Sequence, residues 1–151
     1  MTIDRCADLV NEYLGSLRSS FEVISDNDKC ILITPFTRPD GDYVEIEAET
    51  LPDGSLRFSD MGESVAFLHV SGLKLSRTII DDVRRVAKMN DVGVERYELE
   101  ARSLPGESGE AIHNLIQTAL AVADFIQRRR PTPRLGSGLR RLPICDPLGS
   151  R

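Results

Sequence analysis

The spacing of apolar residues changes period several times along the chain, and each change predicts a new element. Across residues 3–17 the apolar positions are Ile3, Cys6, Leu9, Val10, Tyr13, Leu14 and Leu17. Steps of three and four put them on one stripe of a helix, which predicts a single buried face. Residues 21–24 and 30–34 are instead short runs rich in β-branched and aromatic side chains. The turn formers Asp26, Asn27 and Asp28 separate them, so the pair reads as two strands.

Two Pro-Asp-Gly triplets follow, Pro39-Asp40-Gly41 and Pro52-Asp53-Gly54. Each suits a three-residue hairpin loop: Pro presets the first turn position and Gly supplies the left-handed residue. For the second triplet this loop sets Leu51 against Ser55, Thr50 against Leu56, Glu49 against Arg57 and Ala48 against Phe58. An acid then faces a base on one side of the sheet, and apolar groups meet on the other. A two-residue loop would set Phe58 against Glu49, and a slip of one residue exchanges the faces. The three-residue loop is therefore predicted. Tyr43, Glu45, Glu47 and Glu49 line the wet face, with Val44, Ile46 and Ala48 on the dry one, as in an antiparallel sheet covered on one side.

Downstream, a short helix is predicted from 63 to about 70, stopping near Gly72. A second runs from about 76 to 90, with Ile79, Ile80, Val83, Val86 and Ala87 inward. Residues 94–101 alternate with Tyr97, Leu99 and Ala101 on one side and Arg96, Glu98 and Glu100 on the other, which predicts a fifth strand. Residues 110 to about 129 form the clearest helix, whose face of Ile112, Leu115, Ile116, Ala119, Leu120, Val122, Ala123 and Ile126 is broad enough to suggest a surface for a second copy. The expected fold is α+β: an antiparallel meander of about five strands with helices packed on one face. Residues 1–129 make one domain, and 130–151, rich in Pro, Gly and Arg without a period, make a basic tail expected to be disordered.

Composition changes this picture in one respect. The chain of 151 residues has 40% hydrophobic and 5% aromatic residues and no Trp, so its core rests on aliphatic side chains. The net charge of −5 conceals an asymmetry. From Arg128 onward seven Arg stand against one acid, Asp146, leaving 12 basic and 23 acidic side chains in residues 1–127. Phosphate backbones repel an acidic body, so nucleic-acid binding is expected only through the tail, with Arg128, Arg129, Arg130, Arg140 and Arg141 as its contacts. An acidic protein partner is an equal expectation for that tail. No apolar run is long enough to span a bilayer, no signal peptide is read at the N-terminus, and Cys6, Cys30 and Cys145 are too far apart for a zinc site or disulfide framework. A cytosolic protein without a cofactor is expected.

Candidate chemistry gathers at the turns. The segments Ile33-Thr34-Pro35-Phe36, Pro39-Asp40-Gly41-Asp42 and Ser59-Asp60-Met61-Gly62-Glu63, with Leu68 beyond, resemble an uncharacterised domain family of bacteria and their phages over roughly residues 20–100. Ser64 stands where that resemblance leads one to expect Thr. The resemblance implies an α+β domain, often from prophage or mobile-element surroundings, and no established activity. The residues themselves make Arg38, Asp40, Asp42, Asp60 and Glu63 the candidate binding set. The four carboxylates suit a hard cation if the loops converge; otherwise Asp60-x-x-Glu63 is a capping box and Asp40 and Asp42 are turn residues.

Other catalytic sets are incomplete. Restriction-type nucleases need an Asp followed by Glu-x-Lys on the next strand, and Glu45-Ile46-Glu47-Ala48-Glu49 lacks the lysine. His69 and His113 sit on helices without a nucleophile beside them, and Cys30 lies in an apolar strand. The helix bearing Arg77, Arg84, Arg85 and Lys88 is interrupted by Asp81 and Asp82, as solvated helices are. The expected function is a non-enzymatic binding or regulatory module with a protein partner. The alternatives are a metal-dependent hydrolase or nuclease, and a nucleic-acid binder acting through the tail.

Overall fold

The computed structural model describes residues 3–129; the predicted tail lies outside them. The chain runs α1 (Ile3–Ser20), β1 (Glu22–Asp26), β2 (Lys29–Thr37), β3 (Tyr43–Thr50), β4 (Leu56–Ser59), α2 (Glu63–Val70), α3 (Arg77–Met89), β5 (Gly93–Glu95), β6 (Glu98–Ser103), α4 (Ser108–Ala123) and α5 (Phe125–Arg129). The strands form one sheet in the order β1-β2-β3-β4-β6-β5, and every neighbouring pair is antiparallel. The fold is α+β, as expected, with six strands rather than about five.

The extra strand comes from residues 94–101, which are a hairpin and not one strand. Arg96 and Tyr97 both take left-handed backbone, with φ of 48° and 67°. Two successive left-handed residues reverse the chain with the twist that antiparallel strands require, although neither is the Asn or Gly usual at such turns. Leu99 and Ala101 are buried as the alternation predicts, but Tyr97, expected on the same side, sits in the turn and is exposed, so the alternation holds only from Glu98 onward.

The hairpin registers follow from turn chemistry. Thr50 faces Leu56, Glu49 faces Arg57 and Ala48 faces Phe58. The Leu51 N–H donates to the Ser55 carbonyl at 2.8 Å, closing the three-residue loop over Pro52–Gly54. Pro39–Gly41 repeats the device, with the Arg38 N–H donating to the Asp42 carbonyl at 2.8 Å. In both loops the Asp carboxylate accepts the N–H two residues on, from Asp42 at 3.0 Å and from Ser55 at 2.9 Å. Such Asx turns are why Asp follows Pro here. Before the first loop the register of β2 shifts between Ile33 and Thr37. Pro35, which has no N–H to donate, falls within this irregularity.

The core lies on the face carrying Val44, Ile46, Phe58, Leu99 and Ala101. There α2, α3 and α4 contribute Val65, Leu68, Ile79, Val83, Ala87, Leu115, Ile116, Ala119 and Val122. The α4 face is spent largely on this core, with Leu115, Ile116, Ala119 and Val122 buried and Ile112 and Leu120 packed against them in part. The predicted helix over 110–129 is broken at Asp124. There the Gln127 N–H donates to the Asp124 carbonyl, a three-residue step that tightens the backbone, and α5 turns Phe125 and Ile126 into the core.

The larger departure is at the N-terminus. The apolar stripe of α1 is not buried: Leu9, Val10, Tyr13 and Leu14 are exposed, and only Leu17 is half-buried. All of β1 is exposed as well. The helix forms with the predicted periodicity, but the three core helices occupy the apolar face of the central strands and leave it no place there.

Replacing Arg96 by Asn and Tyr97 by Gly should relieve left-handed strain and raise stability by about 1 kcal/mol. Urea denaturation of the double variant measures this, and a loss of stability would contradict the turn assignment.

Candidate functional site

The predicted set divides into three unlike environments. Asp60 is fully buried at the end of β4. One carboxylate oxygen accepts the N–H of Gly62 at 3.0 Å and that of Leu99 at 2.8 Å, and the other accepts the N–H of Ser64 at 3.0 Å. The Asp60 N–H donates to the Leu99 carbonyl at 3.1 Å. A single side chain therefore satisfies amides of the turn, the first turn of α2 and strand β6. Burial strips the carboxylate of water, and these donors replace that hydration.

The local sequence explains the geometry. Met61 and Gly62 both have positive φ, 58° and 75°, and this double left-handed step lets Asp60 reach back over the helix start. The Ser59 hydroxyl accepts the Met61 N–H at 2.9 Å and itself donates to Glu98 at 2.8 Å. A Cβ added at Gly62 would lie 3.7 Å from the Tyr97 carbonyl oxygen, ordinary contact, so the demand for Gly comes from φ and not from space. The turn thus abuts the β5–β6 turn, and two left-handed segments meet.

Of the capping box expected of Asp60 and Glu63 only the Asp60 half forms, through the Ser64 N–H in the first turn of α2. The Asp60 N–H is committed to Leu99, and Glu63 instead accepts from Arg38 Nη2 at 2.7 Å. The Arg38 side chain is only 5% exposed, and its Nε finds no partner among the described residues. The ion pair joins the start of the first Pro-Asp-Gly loop to the N-terminus of α2. Arg38 also lines an open depression of about 420 Å³ with Thr37, Leu120, Asp124 and Gln127. Asp40 and Asp42 are exposed at the loop, Asp40 being turned onto the Asp42 amide. Among the described residues no group of three or more His, Cys, Asp or Glu is arranged to hold a metal ion. The structure joins Arg38 to Glu63 and sets Asp60 apart as a hub for backbone amides; it does not gather the four carboxylates. Of the tail set, Arg128 is exposed on α5 and Arg129 ends that helix, whereas Arg130, Arg140 and Arg141 lie outside the described residues.

A second cluster, not singled out by sequence, lies on the sheet face opposite the core. Arg57 on β4 pairs with Glu49 of β3 at 3.4 Å, and with Glu98 and Glu100 of β6 at 2.9 and 3.1 Å. Arg102 reaches Glu100 at 2.8 Å, and Lys29 pairs with Glu47 and Glu49, both at 3.3 Å. Burial pulls the Arg57 pKa down, but the Glu100 and Glu98 partners outweigh it and raise the group above its ordinary value. Burial pushes the Glu100 carboxyl up, and the pairs with Arg102 and Arg57 overcome this and hold it below 4.5. The signal available in sequence was the alternation of Glu98 and Glu100. Their neighbour could not be read, because β6 meets β4 only after two intervening helices.

Asp60→Ala leaves three amides without an acceptor and should cost about 3–5 kcal/mol in urea denaturation. A loss below about 1 kcal/mol would remove Asp60 from this role. Because the folded-state pKa of Glu100 is depressed, its contribution is present above pH 4.5 and is lost as pH falls through the folded value. The stability difference between wild type and Glu100→Gln should accordingly be largest near neutrality and shrink in acid; a difference independent of pH would refute the pairing.

No curated protein and no solved structure matches the chain. One family model matches residues 34–122, from the end of β2 through α4, leaving α1 and β1 outside the match. The chain therefore belongs to the family described as Domain of unknown function DUF1828.

Proposed function

We propose that the protein is a non-enzymatic binding module of a bacterial or phage cytosol that holds a basic protein segment on the open face of its sheet. The observation that carries this reading is the one-sided packing. The core helices cover one face, and on the other Glu45, Glu47, Glu49, Glu98 and Glu100 outnumber Lys29, Arg57 and Arg102. Glu45 has no ion-pair partner among the described residues, so its charge is available to a ligand. The excess of acids supplies attraction and on-rate toward a basic segment, and the fixed cations between them set its register. Two carboxylates of the candidate binding set support the same reading, since Asp60 and Glu63 are occupied in holding the fold.

The test is fluorescence anisotropy of the full chain with a labelled Arg/Lys-rich peptide and with its Asp/Glu-rich counterpart. The basic peptide should bind, less tightly as salt is added. Glu45→Gln with Glu47→Gln should weaken it about tenfold, the equivalent of roughly 1.4 kcal/mol. Equal binding of both peptides, or an affinity unchanged in the variant, would overturn the proposal.

A further inference from the structure

The exposed stripe of α1 has an order that solvation does not require. Cys6, Val10, Tyr13 and Leu17 follow one another at steps of four, three and four, the spacing of the a and d positions of a heptad. Ala7, Leu9, Leu14 and Ser16 then fall at the flanking e and g positions. Every charged residue from Asp4 to Arg18, namely Asp4, Arg5, Asp8, Glu12 and Arg18, falls at b, c or f. A helix that only faced water would have no reason to clear its charges from four of seven positions. A helix that packs against another helix must.

Among the described residues nothing covers the stripe between Leu9 and Leu14. Leu9, Val10, Tyr13 and Leu14 of α1, and Val23 and Ile24 of the strand that follows, are each 44–61% exposed. The four α1 residues together leave on the order of 400 Å² in solvent, within the roughly 300–600 Å² that the largest apolar patch of a monomer exposes. That is about half of the ~800 Å² per partner that a standard interface buries. An 18-residue helix gains little stability from propensity alone and depends on burying its apolar face.

We infer that α1 is a self-association helix whose stripe packs against α1 of a second copy. A second copy fits because the stripe is uncharged along its length. Two identical uncharged stripes meet without like-charge repulsion, and a two-fold axis buries the same patch on both sides. The alternative route to a dimer, pairing of the two β1 edges, is disfavoured by charge. Antiparallel pairing about Ile24 sets Glu22 of one copy against Asp26 of the other, and like charges directly opposed destabilise a sheet. The interface is therefore helical. It is distinct from the carboxylate face, lies outside the region that the family model matches, and does not depend on the peptide-binding proposal.

Sedimentation velocity of the full chain over the micromolar range tests this. Wild type should sediment as a dimer. Val10→Glu with Tyr13→Glu, two exposed positions whose change leaves the core untouched, should halve the mass while circular dichroism and the thermal midpoint at matched monomer keep a folded domain. Glu22→Lys, which removes the repulsion between paired β1 edges, should leave the association unchanged. A monomeric wild type would overturn the inference, as would a dimer that persists in the double variant. Stronger association of Glu22→Lys would move the interface from the helix to the strand and overturn it too.

Discussion

Burying the Asp60 side chain removes it from water, and three backbone amides replace the hydration it loses. Two of those amides are local, in the turn after β4 and the first turn of α2, and the third, Leu99 in β6, is 39 residues away. β6 is added to the sheet beside β4 only after two helices have intervened, so its placement needs a contact that spans the gap. Asp60 provides it twice, through its carboxylate and through its own N–H. With β6 placed, Leu99 and Ala101 join Val44, Ile46 and Phe58 on one apolar surface, and α4 packs across it. The same placement puts Glu98 and Glu100 beside Arg57 on the opposite face. One buried acid thus organises the core and, indirectly, the charged surface.

This explains why the most conspicuous carboxylates in the chain do not form a cation site. A buried carboxylate that accepts three amides has spent most of its roughly four acceptor sites on the fold. Glu63, spaced as a capping partner, finds a better-placed cation in Arg38 on the neighbouring loop. Asp40 and Asp53 perform the same Asx-turn role in two successive hairpins, which accounts for the repeat of Pro-Asp-Gly without any appeal to chemistry. The functional interest of the domain moves from its turns to its surfaces: the open carboxylate face, and the apolar stripe of the first helix.

The two surfaces differ in kind. On the sheet, acids and bases interleave across four strands and largely neutralise one another, leaving an excess that is sensitive to salt and to protonation. On α1 there is no charge along the stripe at all, so its interactions are governed by apolar area. A module that meets one partner electrostatically and another by burial can tune the two contacts independently, because they respond to different solution conditions.

Local chemistry was legible in the sequence. The hairpin register at Pro52–Gly54 could be derived residue by residue, because a one-residue slip would have exchanged the two faces of the strand. The helices α2 and α3 were bounded by Gly72, Ser76 and Asn90, and the alternation over 98–101 was sound, whereas the turn before it was hidden, Arg96 and Tyr97 being residues that seldom take left-handed backbone. What lay beyond the sequence was every question of adjacency. Periodicity states that a helix has an apolar face and not what covers it: α4 spends its face on the core and α1 does not, although both carry the same kind of stripe. Likewise the spacing Asp60-x-x-Glu63 is the same whether Glu63 turns back to the helix start or outward to Arg38. Only the meeting of segments distant in the chain decided these, since the free energy that selects them comes from contacts absent until the sheet has assembled.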